Sequence, residues 1–328
     1  MRLHVVTGKG GTGKTTVAAS LALALAAGGK QVLLAEVEGR QGIAQLFDCP
    51  PLPYEERKVA VAPGGGDVIA LAIDPEEALL EYLEMFYNLK RAGRALKRFG
   101  AIDFATTIAP GMRDVLLTGK VVEATKRRDK GGHPVYDAVV LDAPPTGRIT
   151  RFLNVNTEVA GLARMGPVHR QAESVMSVLR SQQTAVHLVT LLEEMPVQET
   201  IDAVADLAAH DLPVGGIVVN MTRPPLLPAD ALVAADAGTL DTGEIARGLK
   251  QAGVDPSPAL LEGLAGEARD HAQRVALEER ERTALGDLHR PTYELPMLAD
   301  GIDLGGLYTL AADLRDQGAV RRPGKDRS

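Results

Sequence analysis

A single cysteine, Cys49, occurs in 328 residues, and that scarcity removes several kinds of chemistry at once. One thiol cannot close an intrachain disulfide, build a zinc site on paired cysteines, or bridge an iron–sulfur cluster. Histidine is present at 4, 133, 169, 187, 210, 271 and 289 without the close spacing of a metal-binding pair, so each reads as structural or surface. Positive charge is not in excess either. The formal net charge is −7, which gives nonspecific nucleic-acid binding no support. The longest apolar helical run, Val17 to Ala27, falls far short of the ~20 residues that span a bilayer. The chain begins directly with a strand-like run, so the expected location is cytoplasmic, with peripheral membrane contact left open. No internal repeat is found.

Apolar residues make up 45% of the chain, enough for one large α/β domain or two small ones. Short apolar runs recur at 3–6, 32–35, 68–72, 138–141, 186–191, 216–219 and 292–295, most of them separated by helix-like segments. That alternation predicts an α/β fold with a doubly wound, mostly parallel sheet. Stretches near 75–130, 152–183 and 226–290 exceed simple crossovers and predict inserted helical structure. The first opens on Asp74 and Pro75 as cap and first turn, then places Ala78, Leu79, Tyr82, Leu83, Phe86 and Leu89 at helical spacing, a stripe read as core. Basic runs at Lys90, Arg91, Arg94, Lys97 and Arg98, and at Lys126, Arg127, Arg128 and Lys130, read as solvated faces, with an acidic partner or anionic lipid as the alternative. The segment from Glu278 to Arg282 suggests an exposed, ion-paired helix.

Residues Gly8, Lys9, Gly10, Gly11, Thr12, Gly13, Lys14, Thr15 and Thr16 follow the first strand and open an Ala/Leu-rich helix, the context a phosphate-binding loop requires. Its glycines let the backbone wrap oxyanions while amides and the helix dipole point at them. Lys14 is expected to reach the β- and γ-phosphates, and Thr15 to place its hydroxyl on Mg²⁺. A second apolar strand ends in Asp142, followed by Ala143, Pro144, Pro145, Thr146 and Gly147. Asp142 is expected to orient Mg²⁺ through water, and Pro145, Thr146 and Gly147 to shape a switch loop that responds to the γ-phosphate. The implied cofactors are a nucleoside triphosphate, taken as ATP from the family likeness given below, and Mg²⁺, with no zinc and no iron–sulfur cluster.

With Lys9 added, the loop resembles the deviant Walker A group, K-G-G-x-G-K-[ST], which includes ArsA, MinD, ParA and nitrogenase iron proteins. The resemblance implies that Lys9 crosses a dimer interface to the partner's nucleotide; a lysine serving its own nucleotide is the alternative. The run D-A-P-P-T-G-R-I-T-R-F-L at 142–153 narrows the likeness to the ArsA and tail-anchored-protein-targeting (Get-type) ATPases, whose switch II reads D-T-A-P-T-G-H-T-L-R-F-L. Pro110, Gly111 and Asp114 resemble that branch's P-G-x-x-E, and Glu193, Glu199 and Thr200 its P-E…E-T. The chain resembles a bacterial member without the metal-binding cysteines. The likeness implies that Asn220, ending a late strand, recognises adenine, with Pro296 in the loop over the base.

Departures from the pattern carry their own expectations. The family's switch I, D-P-A-H-[NS]-L-S-D-A-F, becomes 38–47 here, with Glu38 in place of the water-orienting aspartate. One extra methylene displaces the carboxylate, and a misplacement of ~1 Å can lower a rate about a hundredfold. A slow ATPase is therefore expected, with Glu38 as the catalytic candidate and Glu36 as its rival. Asp303 stands where the adenine loop of the family carries an arginine, so no charge role transfers there. The expected organisation is one ATPase domain over 1–328, with a nucleotide core at about 1–74, 131–151, 184–225 and 291–318. Helical insertions fill about 75–130, 152–183 and 226–290, and 319–328 is a flexible tail. Its expected function is that of a dimeric switch, as a homodimer or with a paralogue, that couples closure over Mg·ATP to a client or membrane-protein partner. A regulatory module with little hydrolysis and the soluble subunit of an anion pump are the alternatives. Met85, Met112, Met165 and Met176 could line a client groove, though core is the plainer reading.

Overall fold

Strands β1 (Leu3–Gly8), β2 (Gln31–Glu36), β3 (Arg57–Val61), β4 (Asp67–Ala72), β5 (Ala138–Asp142), β6 (Thr184–Thr190), β7 (Val214–Thr222) and β8 (Thr292–Pro296) form one sheet in the order β3-β4-β2-β5-β1-β6-β7-β8. The computed structural model describes residues 2–87, 111–162, 167–299 and 301–320. All pairings are parallel except that of β3 with β4. Every residue of β1, β5 and β6 is buried, which is why these strands read as unbroken apolar runs: helices cover both faces of the sheet. The seven apolar runs are the seven parallel strands. β3 escapes that reading because its first residues, Arg57 and Lys58, are exposed charges, as edge strands favour.

One face is covered by α1 (Lys14–Ala26) and α11 (Leu304–Asp316). There Val17, Leu21, Leu310 and Leu314 pack on Val6, Val32 and Val140. The other face carries α4 (Met112–Lys126), α5 (Thr146–Leu162), α6 (Pro167–Leu179) and α7 (Glu194–Ala209), whose Leu117, Phe152, Leu179 and Leu207 bury against Leu3, Val5 and Leu141. A short α2 (Gly42–Leu46) follows β2, α3 (Pro75–Tyr87) follows β4, and α8 (Ala229–Asp236), α9 (Thr242–Gln251) and α10 (Pro258–Gly286) lie between β7 and β8.

Asp74 caps α3 as expected, its Oδ1 accepting the amides of Glu76 and Glu77 at 2.9 and 3.0 Å. Ala78 and Leu79 pack into the core. Leu89, the basic run at 90–98, Pro110 and Met165 lie outside the described residues, as do the side chains of Tyr82, Leu83, Met85, Phe86 and Met112. Met176 is core. The second basic run is exposed at Lys126, Arg128 and Lys130, as a solvated face would be, and is tied down within the chain. Arg127 bonds Glu123 and Glu56, Lys126 bonds Ser174, and Arg128 bonds the carbonyl of Gly132. Arg282 pairs with Glu279 and Glu294, giving α10 its ion-paired surface.

Two histidines read from the sequence as unremarkable form a buried pair. His4 on β1 and His187 on β6 stack with ring centroids 5.3 Å apart, and His4 Nδ1 lies 3.0 Å from His187 Nε2. The amide of Gly216 donates to His187 Nδ1 at 3.2 Å, which leaves the His187 proton on Nε2, donated to His4. Burial pushes both pKa values down, His187 to about 4 from an ordinary 6.5, and the neighbouring ring adds to the effect on His4. The unfolded chain takes up protons on these rings once the pH falls below its own pKa, and the fold refuses them until its lower pKa is reached. The share of stability carried by these neutral rings is therefore complete above pH 6.5 and falls between 6.5 and about 4. For His187 alone the loss near pH 5 is about 2 kcal/mol. Urea unfolding near pH 5 and near pH 7.5 is expected to show this drop as the difference between wild type and a His4→Gln/His187→Gln variant.

Candidate nucleotide site

Because the strands are parallel, their carboxyl ends meet along one edge, where ligands of such sheets bind. Register places Val6 beside Asp142 and Asp142 beside Glu36; β7 brings Asn220 and β8 brings Pro296 to the same edge. From Gly8 the chain turns through Gly11 and Gly13, at φ 89° and 85°, into α1. A Cβ on Gly8 would lie 2.2 Å from the carbonyl oxygen of Val189, and one on Gly13 2.3 Å from Asn220 Nδ2. A Cβ on Gly10 or Gly11 would meet nothing within 4 Å, so those two glycines face open space. The loop closes on one carbonyl: Thr12 Oγ1 and Lys14 Nζ both donate to the oxygen of Lys9, at 2.9 and 3.4 Å. Lys14 is 9% exposed. Burial lowers its pKa, against the raising influence of Asp142 and Glu38.

Asn220 is buried and its Nδ2 donates to the carbonyl of Thr12 at 2.9 Å. The amide thus braces the phosphate loop, leaving its second N–H and its Oδ1 for another partner. Its neighbour Met221 adopts φ 56°, a left-handed conformation uncommon for such a residue. Met297 follows Pro296 and donates its amide to Thr222 at 2.9 Å. Met221 and Met297 are half-exposed beside these strand ends, and the sequence reading did not single out Met221.

At the other end of the loop, Thr15 Oγ1 donates to Asp142 Oδ2 at 2.7 Å. Burial pushes the Asp142 pKa up to about 6 against the Thr15 bond and the Lys14 charge, and Glu36 and Glu38 push it further up. Asp142 Oδ1 is buried and has no hydrogen-bond partner among the described residues. An orphaned carboxylate oxygen beside a hydroxyl is the hard donor set that suits Mg²⁺, so these residues fit the ion that the phosphate loop implies.

The two rival glutamates separate by environment. Both oxygens of Glu36 are engaged, Oε1 by the amide of Gln41 at 2.6 Å and Oε2 by that of Ile43 at 3.2 Å. Glu36 therefore anchors the segment that leads into α2. Glu38 keeps its carboxylate in a cleft of about 180 Å³ that Arg40, Arg113, Asp114 and Arg148 also line. Its oxygens lie 3.6 Å from Arg40 and 3.8 Å from Arg148.

The loop after Asp142, expected to act as a switch, is shorter than the sequence suggests. Only Ala143, Pro144 and Pro145 are irregular, and Thr146 and Gly147 already form the first turn of α5. Thr7 Oγ1 ties this loop to β1 through the Pro144 carbonyl at 2.6 Å. Lys9 does not point at Lys14 or Asp142. Its Nζ pairs with Glu199 Oε1 of α7 at 2.8 Å, a contact that spacing alone does not reveal.

The family described as anion-transporting ATPase (ArsA) matches residues 1–181. ATPase BagA of Mycobacterium tuberculosis (strain ATCC 25618 / H37Rv) is 57% identical over 318 residues, 97% of this chain and 94% of that protein. ATPase GET3 of Kluyveromyces lactis is 29% identical over 249 residues, covering 66% of this chain and 70% of that protein. ATPase GET3 of Candida glabrata is 27% identical over 252 residues, with the same coverage of 66% and 70%.

Proposed function

We propose that this chain, which belongs to the anion-transporting ATPase family and is an ATPase, works as a Mg²⁺-dependent dimeric switch whose closure over ATP is passed to a client or membrane partner. The observation that carries this reading is the second lysine of the phosphate loop. Lys14 lies buried beneath the loop, while Lys9 stands at its rim with a side chain 31% exposed. In this reading Lys14 meets the subunit's own phosphates, and Lys9 is accessible from outside the subunit. A cation brought onto the γ-phosphate stabilises transition-state charge as an arginine finger does. The partner is a second copy of the chain or a paralogue.

In this reading the nucleotide core of about 1–74, 131–151, 184–225 and 291–318 holds ATP, and the helical insertions transmit closure. Amides of the loop at Gly10 to Thr16 bind the phosphates; Lys14 neutralises the β- and γ-oxygens; Asn220 and Pro296 flank the base. Thr15 and Asp142 would hold Mg²⁺, which when bound neutralises charge developing on the phosphate oxygens. Glu38 orients the attacking water and accepts its proton. Pro145, Thr146 and Gly147 register whether the γ-phosphate is present. Among the described residues no helix is long and apolar enough to cross a membrane, so any membrane contact in this reading is made through a partner or at the surface.

Sedimentation of the protein with Mg²⁺ and a non-hydrolysable ATP analogue tests the proposal. Association to a dimer is expected, and Lys9→Ala is expected to abolish it and to lower kcat about a hundredfold. A wild-type protein that stays monomeric, with a Lys9→Ala variant that turns over normally, would remove the dimeric reading.

A further inference from the structure

We propose that Glu199 is a positioning residue for ATP hydrolysis: its single carboxylate holds the phosphate-loop lysine and the switch II threonine together in the resting subunit and must release the lysine before the site closes. One oxygen, Oε1, pairs with Lys9 Nζ at 2.8 Å. The other, Oε2, accepts from Thr146 Oγ1 at 3.1 Å. Both partners belong to segments that contact or sense the γ-phosphate under the function proposed above, on which this inference rests.

The carboxylate itself sits on a firm support. Helix α7 is anchored by Val197, Ala203, Val204 and Leu207 in the apolar core, and Thr200, next to Glu199, is buried with its hydroxyl bonded back to Pro196 at 2.8 Å. The helix backbone beneath Glu199 is therefore fixed, and Lys9 is the group that changes partner. A γ-phosphate carries more negative charge than a carboxylate and competes for the same ammonium. When Lys9 leaves, Thr146 keeps Glu199 to itself. Thr146 opens α5, whose Ile149, Phe152 and Leu153 share a core with Leu116, Leu117 and Val121 of α4. A change at the lysine is thus mechanically continuous with the helical layer, through one carboxylate and one helix.

The charge, more than the shape, does the holding, so Glu199→Gln separates the two. Steady-state turnover against ATP concentration is expected to show KM about fivefold lower in Glu199→Gln, the size of one partly exposed ion pair. Glu199→Asp, which keeps the charge, is expected to stay within about twofold of the wild-type KM. In a Lys9→Ala background the Glu199→Gln change is expected to have no effect on KM, because the group being held is gone. An unchanged or raised KM, a tenfold or larger fall in kcat, or a KM effect that persists without Lys9 would each overturn the proposal; the second would mean that Glu199 supports Lys9 in the closed site. The dimer reading fails separately. If the analogue causes no association yet Glu199→Gln still lowers KM only when Lys9 is present, the restraint stands and Lys9 serves its own subunit. If association occurs at the same analogue concentration in wild type and Glu199→Gln with equal KM, the restraint falls and the dimer remains.

Discussion

Lys14→Ala is expected to lower kcat for ATP by about a thousandfold. One preorganised donor aimed at developing charge is worth about 10²–10³ in rate, and Lys14 is a full charge held in a dry position. It is 9% exposed, its Nζ donates to the Lys9 carbonyl at 3.4 Å, and burial lowers its pKa against the nearby carboxylates of Asp142 and Glu38. That arrangement costs stability and suits a γ-phosphate, which adds counter-charge beyond what Asp142 and Glu38 supply. Removal of the ammonium is therefore expected to leave Tm unchanged or slightly raised while turnover collapses. Calorimetric titration with Mg·ATP is expected to show weakened binding in the same variant. Turnover within tenfold of wild type would mean that Lys14 does not meet the phosphates.

The loop around Lys14 is legible in the sequence because its chemistry is local. Consecutive glycines, a lysine and a threonine between an apolar strand and an alanine-rich helix can satisfy few other structures. The parallel strands are legible for a related reason, since burial on both faces writes them as continuous apolar runs. What stays hidden depends on partners far away along the chain. Glu199 meets Lys9 across 190 positions of sequence, and His4 meets His187 across 183; no periodicity encodes either contact. Asn220 is partly legible. A late strand ending in asparagine marks a candidate base ligand, but its grip on the Thr12 carbonyl, and with it the reason Gly13 has no room for a side chain, emerges only when β7 lies next to the loop. β3 is hidden by its edge position, where charge replaces apolar alternation.

Glu36 and Glu38 are two residues apart and look interchangeable as candidate bases, yet their substitutions are expected to fail in opposite ways. Glu38→Gln is expected to lower kcat about a hundredfold to ten-thousandfold, the range for loss of a positioned general base, with Tm unchanged. Its carboxylate lines the cleft beside Arg40 and Arg148, and no backbone amide among the described contacts depends on it. Glu36→Gln is expected to lower stability by about 1–3 kcal/mol, because Glu36 is 3% exposed and accepts the amides of both Gln41 and Ile43. Glutamine offers one acceptor oxygen where two amides need satisfying, and its NH₂ would face a donor. The Glu36→Gln variant is expected to lose activity mainly through that loosening of 41–43, so its kcat is expected to recover on cooling, whereas that of Glu38→Gln is not. Parallel measurement of kcat and Tm for both variants at two temperatures decides the assignment. A stable Glu36→Gln protein without turnover, beside a Glu38→Gln protein that hydrolyses ATP normally, would transfer the catalytic role to Glu36.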